Sequence, residues 1–218
     1  LNLGPGTYKV RAFSGELSCN KDSDPKTITE PRQPVIRLEA QNVTCNGLKD
    51  GKLVASGENY TQLKLFKGLI QISTVATASS PYVFTGLEPG DYSVEASSTG
   101  NNGKTCTANS SVVTLSEPFK VTVEIIGTDV KCYDGKDGSI IVTGANYSVL
   151  KLYKDAALFS TASTSDSPYT FTGLPPGDFK VIASASGYEG AECVAESGVK
   201  TLRQPAQVTV NISGTDIT

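Results

Sequence analysis

The chain has 218 residues, 22 acidic and 19 basic, for a net charge of −3, and it contains no His, Met or Trp. Without His, Ser-His-Asp and Cys-His nucleophile systems and His-based zinc motifs are excluded, and with them much of enzymology. The lysines are scattered singly, which leaves no basic patch for nucleic acid, and no stretch approaches the ~18 apolar residues of a membrane span.

The 21 Gly and 11 Pro sit among many Val, Ile, Thr, Tyr and Ser, the composition of strands and tight turns. Residues 1–9 show neither a basic region nor an apolar run, so they do not read as a signal peptide. The chain opens on Leu3-Gly4-Pro5-Gly6-Thr7-Tyr8-Lys9-Val10, a string that returns as Leu87-Glu88-Pro89-Gly90-Asp91-Tyr92-Ser93-Val94. Cys19 returns as Cys106 and Pro31 as Pro118. Residues 1–31 therefore read as the C-terminal fragment of a repeated unit, with one loop three residues shorter than in the later copies.

From Val43 onward the sequence repeats at an offset of 87 without a gap. Cys45-Asn46-Gly47-Leu48-Lys49-Asp50-Gly51 becomes Cys132-Tyr133-Asp134-Gly135-Lys136-Asp137-Gly138, and Ser80-Pro81-Tyr82-Val83-Phe84 becomes Ser167-Pro168-Tyr169-Thr170-Phe171. Pro89-Gly90-Asp91-Tyr92 becomes Pro176-Gly177-Asp178-Phe179, and Cys106 becomes Cys193. Complete units are drawn at 32–118 and 119–205, with prolines marking the limits because they interrupt strands. In the second of these, Val121, Val123 and Ile125 alternate with polar residues, as in a strand with one buried face. Further strands are expected at 139–143, 149–153, 158–161, 169–172, 179–185 and 193–202, separated by turn signals such as Asp137-Gly138 and the Gly-rich 186–190. Val208, Val210 and Ile212 repeat the first strand, so 206–218 reads as the opening strand of a next module, and the whole chain as a window on a longer array. The fold class is all-β: tandem immunoglobulin-like β-sandwich modules with an 87-residue repeat. Tyr8, Tyr92 and Phe179 each follow a Leu-x-Pro-Gly turn at the start of a penultimate strand, the setting of a tyrosine corner; Phe179 lacks the hydroxyl and can only pack.

The order of these signals, Cys-x-Gly-x-x-Asp-Gly, then Pro-Tyr-x-Phe, then Leu-x-Pro-Gly-x-Tyr-x-Val, then a loop ending in Cys, resembles the SprB-type repeat of Bacteroidetes gliding-motility surface adhesins. The resemblance covers nearly the whole chain. It implies immunoglobulin-like or PKD-like tandem modules in a secreted, mobile filament on the bacterial outer surface, exported by the type IX system and contacting the substratum. This chain differs from that pattern in carrying Gly57-Glu58-Asn59 and Gly144-Ala145-Asn146 where Gly-Gly is usual, and in lacking the mid-strand Trp.

Five cysteines in an exported protein read as a disulfide framework. Pairing inside each unit would join Cys45 to Cys106 and Cys132 to Cys193. In an immunoglobulin-like sandwich, however, these positions lie at opposite ends of strands about 20 Å long, and a disulfide needs Cα atoms within about 7 Å. In a head-to-tail array Cys45 faces Cys193 across the junction of the two complete units, and Cys19, Cys106 and Cys132 find partners outside this window. The inter-module staple is the leading reading; bridging inside each unit and free thiols are the alternatives.

Asp50, Asp134 and Asp137 are weak calcium candidates, since carboxylates suit that ion, but the full calcium-loop spacing is absent and Asp-Gly is first of all a turn signal. No other cofactor is expected. The acidic residues that recur, Asp50/Asp137, Asp91/Asp178 and Asp129/Asp216, all belong to turns or strand ends and form no catalytic pair. Tyr133 and Tyr188, exposed-aromatic candidates for a ligand face, have Asn46 and Asn101 at the matching positions. The expected function is a structural stalk segment of a cell-surface adhesin, not an enzyme, whose partners are neighbouring repeats and, through the full filament, an extracellular surface or polysaccharide. The alternative is a carbohydrate- or protein-binding β-sandwich accessory to a large secreted protein.

Overall fold

A computed structural model describes residues 3–15, 19–100 and 103–214, so Asn101, Asp216 and the end of the 206–218 segment lie outside the described residues. Those residues form strands joined by turns, with no α-helix among them and a single 3-10 turn at Tyr188–Gly190. The first strands are β1 (Gly6–Tyr8), β2 (Arg11–Phe13), β3 (Asn20–Asp22) and β4 (Lys26–Ile28). A middle run follows: β5 (Val35–Gln41), β6 (Gly51–Glu58), β7 (Gln62–Lys67), β8 (Ile70–Ala76), β9 (Tyr82–Leu87), β10 (Gly90–Thr99), β11 (Thr105–Asn109) and β12 (Val113–Leu115). The last run is β13 (Thr122–Thr128), β14 (Gly138–Ala145), β15 (Val149–Lys154), β16 (Ala157–Ser163), β17 (Tyr169–Leu174), β18 (Gly177–Ser186), β19 (Glu192–Glu196) and β20 (Lys200–Leu202).

In the last run, β13-β14-β17 make one antiparallel sheet and β16-β15-β18-β19 a second, with β20 also on β18. The alternation along each strand explains why the sheets face each other. Ile140 and Val142, Leu150 and Leu152, and Phe179, Val181 and Ala183 all point into one buried cluster, joined by Val123, Phe171, Leu174 and Leu202. Every second residue turns outward, as the pleat requires. Each large side chain withdrawn from water contributes roughly 1.5–3 kcal/mol. Phe179 is wholly buried and meets Phe159 edge-to-face at 5.9 Å. This is an immunoglobulin-like sandwich.

The expected strand over 193–202 is two strands. Ser197 causes the break: its N–H donates to the Val181 carbonyl, and its hydroxyl accepts from the Val181 N–H at 2.9 Å and donates to the Gly198 carbonyl. The edge strand steps sideways there without orphaning the β18 backbone. The same device recurs at Ser110 on Val94 and at Ser23 on Val10.

In the middle run, β5-β6-β9 form one sheet and β11-β10-β7-β8 the other, with β12 on β10. Leu53, Ala55, Leu63, Leu65, Tyr92, Val94 and Ala96 are buried. Among the first strands, β1 pairs with β4 and β2 with β3, and Val10 and Phe13 remain exposed. The Tyr8 hydroxyl donates to the Gly4 carbonyl at 2.9 Å, a tyrosine-corner bond.

Residues 203–214 form no strand, and Val208, Val210 and Ile212 are at least four-fifths exposed. Of their counterparts, Val123 and Ile125 belong to β13, which exists because β14 lies alongside it, and Val121 stands just before it. No such neighbour lies beside 206–214 among the described residues.

Two compact units emerge: Leu1–Glu39, Leu53–Val83 and Asp91–Val113 in one; Ala40–Lys52, Phe84–Gly90 and Thr114–Thr218 in the other. Their limits differ from the repeat limits because the turn 40–52 packs with the last run of strands.

Candidate functional site

The second unit contains a disulfide, Cys45 to Cys193, with Cα atoms 5.5 Å apart and 148 residues between them in sequence. Cys45 lies on the turn between β5 and β6. The turn's shape comes from its own polar groups: the Thr44 N–H donates to Asp50 Oδ1 at 3.0 Å, and the Thr44 hydroxyl donates to Asp50 Oδ2. The Leu48 N–H closes back on the Cys45 carbonyl at 3.2 Å. Gly47 takes the left-handed conformation (φ +81°) that glycine tolerates best, and its N–H donates to Glu117 Oε2 at 2.7 Å. The Asn46 amide donates to the Pro118 carbonyl. With its sequence thus engaged, the turn presents the Cys45 sulfur and the Thr44 carbonyl outward.

Cys193 lies on β19, opposite Ala185 of β18, and is 7% exposed. The loop joining these strands carries the reception. Gly187 N–H donates to the Ala191 carbonyl at 2.7 Å and Ala191 N–H to the Tyr188 carbonyl, which curls the loop. Tyr188 N–H then points at the Thr44 carbonyl and donates to it at 3.0 Å. Gly187 permits this approach: a Cβ there would collide with the Thr44 carbonyl oxygen and stand 3.2 Å from the Cys45 sulfur. Cys45 itself packs against the sandwich core.

The structure thus brings together Cys45 and Cys193. Cys19 and Cys132 are exposed thiols and Cys106 a half-buried one. Two groups at the site carry no sequence flag of their own, the Thr44 carbonyl and the Tyr188 N–H. Gly187 carries a faint one, since Gly100 stands 87 residues earlier.

The acidic candidates are engaged within turns. The two Thr44 hydrogen bonds, the hydroxyl's first, hold the Asp50 carboxyl below the ordinary carboxylate range. Asp137 Oδ1 accepts from the Lys131 N–H at 3.1 Å, the same closure one repeat later. Asp134 occupies the left-handed turn position (φ +58°), and its N–H donates to Gln204 Oε1. Among the described residues no three His, Cys, Asp or Glu side chains converge as metal ligands would. Tyr188 lines a shallow groove with Pro118, Phe119, Asn146 and Gly187, and Tyr133 is half exposed on its turn.

Cross-strand ion pairs lie on the outer faces of the sheets: Lys64 with Glu95 at 2.7 Å, Lys180 with Glu196 at 2.7 Å and Lys151 with Glu192 at 3.4 Å. The Ser184 hydroxyl, followed by Lys151, keeps the Glu192 carboxyl low. The two exposed pairs, of Lys151 and Lys180, are each worth little; that of Lys64 is half-buried.

No family model and no curated protein matches the chain. Among solved structures it is similar to the fibronectin(III)-like modules of CbhA from Clostridium thermocellum, at 15% identity and a TM-score of 0.31 over 80% of this chain and all of that one. It is also similar to murine CEACAM1b, at 12% identity and 0.36 over 79% of this chain and all of that one. The titin domains z1z2, solved in complex with telethonin, match at 16% identity and 0.32 over 82% of this chain and all of theirs. At such identities and TM-scores these likenesses carry nothing about activity or partners.

Proposed function

We propose that the chain is a stalk segment of a secreted bacterial cell-surface adhesin, built from the modules 32–118 and 119–205 with parts of two more, and that it is not an enzyme. The observation that carries this reading is the Cys45–Cys193 bond. It ties the first turn of one repeat to the last loop of the next, and it does so with an arrangement of backbone groups that the 87-residue register can reproduce at every junction. Cys19, Cys106 and Cys132 are halves of the same kind of tie to repeats outside residues 1–218.

The mechanical consequence follows from covalent connectivity. Tension applied at the two ends enters at Cys45 and leaves at Cys193, so the chain between them, including most of both sandwiches, bears none of it. A repeat that mainly contacts its neighbours adds reach without a new fold. One whose neighbours are also stapled adds reach without extensibility. The resemblance to SprB-type repeats supports gliding motility or surface attachment as the setting, with export by the type IX system. The filament as a whole contacts the extracellular surface or polysaccharide.

Immunogold labelling of intact source cells with an antibody raised against this chain tests the reading. Label along surface filaments is expected. Label seen only after the cells are permeabilised would overturn it.

A further inference from the structure

We infer that the groove lined by Phe119 and Tyr188 is a binding site for a neutral polysaccharide of equatorially substituted pyranose units, one ring of which lies against its aromatic walls. The site goes beyond the stalk reading and does not depend on it.

Phe119 and Tyr188 line one groove of about 270 Å³ together with Pro118, Asn146 and Ser186. Phe119 is 84% exposed and Tyr188 40% exposed, so two rings stand at the surface around one small concavity, where a single scattered one would call for no explanation. The groove is smaller than the ~300–1,000 Å³ of pockets that enclose a whole small ligand. It suits one unit of a chain that continues past it.

Both walls are held in place before any ligand arrives. The Asn46 amide donates to the Pro118 carbonyl at 3.2 Å, which fixes the segment that carries Phe119. The Tyr188 N–H donates to the Thr44 carbonyl at 3.0 Å, next to the Cys45–Cys193 bond, which fixes the backbone beneath the other ring. Walls ordered in advance lose little freedom on binding, so more of the contact appears as affinity.

The polar groups select the class of ligand. Asn146 sits in the left-handed conformation (φ +61°), and its NH2 donates to the Lys120 carbonyl at 2.8 Å. The amide therefore offers the groove its carbonyl oxygen, an acceptor. The Ser186 hydroxyl and the Tyr188 phenol both donate and accept. Sugar hydroxyls satisfy each of these, and when they are equatorial the C–H face of the ring is left to cover the aromatic rings. A proline-rich segment also packs on aromatic grooves, but proline has no N–H for the Asn146 oxygen. Among the described residues no charged side chain lines the groove, so an anionic or cationic ligand meets no counter-charge there. Arg32 and Asn101 stand at the positions matching Phe119 and Tyr188 one repeat earlier, so both rings are particular to this junction.

The test titrates cellohexaose, a neutral glucan with equatorial hydroxyls, into the oxidised, isotopically labelled full chain, with a decaproline peptide as the rival class. Saturable shifts of the amide resonances of residues 119, 146 and 186–188 are expected with cellohexaose and none with decaproline. Phe119→Ala and Tyr188→Ala, both surface changes, are each expected to weaken binding by about fivefold or more. Asn146→Gly, which keeps the left-handed backbone, is expected to weaken it about threefold. Tyr133→Ala, at an exposed tyrosine outside the groove, is expected to leave it unchanged. The site is overturned by the absence of saturable shifts with cellohexaose, by shifts confined to other parts of the chain, by affinity unmoved in any of the three groove variants, or by an equal loss in Tyr133→Ala. Groove shifts from decaproline alone would replace the sugar with a peptide.

Discussion

Gly187 does its work by having no side chain. Its neighbours in space are the Thr44 carbonyl oxygen and the sulfurs of both bonded cysteines. A valine must push the turn away, so Gly187→Val is expected to leave Cys45 and Cys193 reduced. Thiol titration of the unfolded, unreduced protein then gives five free groups instead of three. Ser197 acts through its hydroxyl. Ser197→Ala strands the Val181 N–H in a largely buried place, with an expected loss of about 1–3 kcal/mol in urea unfolding. Asp50 links the site to pH. Its carboxyl titrates lower in the folded chain than in the unfolded one, so it stabilises the fold above the unfolded value of about 3.9. That contribution fades as the pH drops from there through the depressed folded value. Melting temperature measured between pH 5 and pH 2 is therefore expected to fall more steeply for the native chain than for Asp50→Asn.

At the scale of strands, β18 is the spine of the last sandwich, flanked by β15 on one side and by β19 and β20 on the other. Removing the Phe179 ring opens a cavity under three strands, and Phe179→Ala is expected to cost about 3–5 kcal/mol by chemical denaturation. Most of this architecture is legible in the residues, because alternation such as Val121-x-Val123-x-Ile125 and turns such as Asp137-Gly138 are side-chain signals. The exceptions are instructive. The 193–202 run reads as one strand because the hydroxyl of Ser197 imitates a backbone partner, something a hydrophobic pattern does not register. The Val208-x-Val210-x-Ile212 run has the pattern of β13 without its neighbour, and a strand is a relation between two segments. Hydrogen exchange separates the two runs: protected amides are expected over 122–128 and fast exchange over 206–214. At the candidate site the cysteines recur visibly at the 87-residue offset, whereas the Thr44 carbonyl and the Tyr188 N–H do not, because every residue type carries those groups.

For the whole molecule, the governing fact is one covalent bond across 148 residues. Chain-entropy arguments give a closure of that size at most about 5 kcal/mol of stability. The larger effect is on extension, because a loop of that size cannot contribute to the length of a pulled chain. At ~3.3–3.6 Å per residue the shielded length is about 490–530 Å. Single-molecule pulling from the two termini, with and without reductant, measures it directly. The expected result is a fully stretched length shorter by about 490–530 Å in the oxidised chain, recovered when reductant is added. Equal lengths in the two conditions would contradict the stapled stalk.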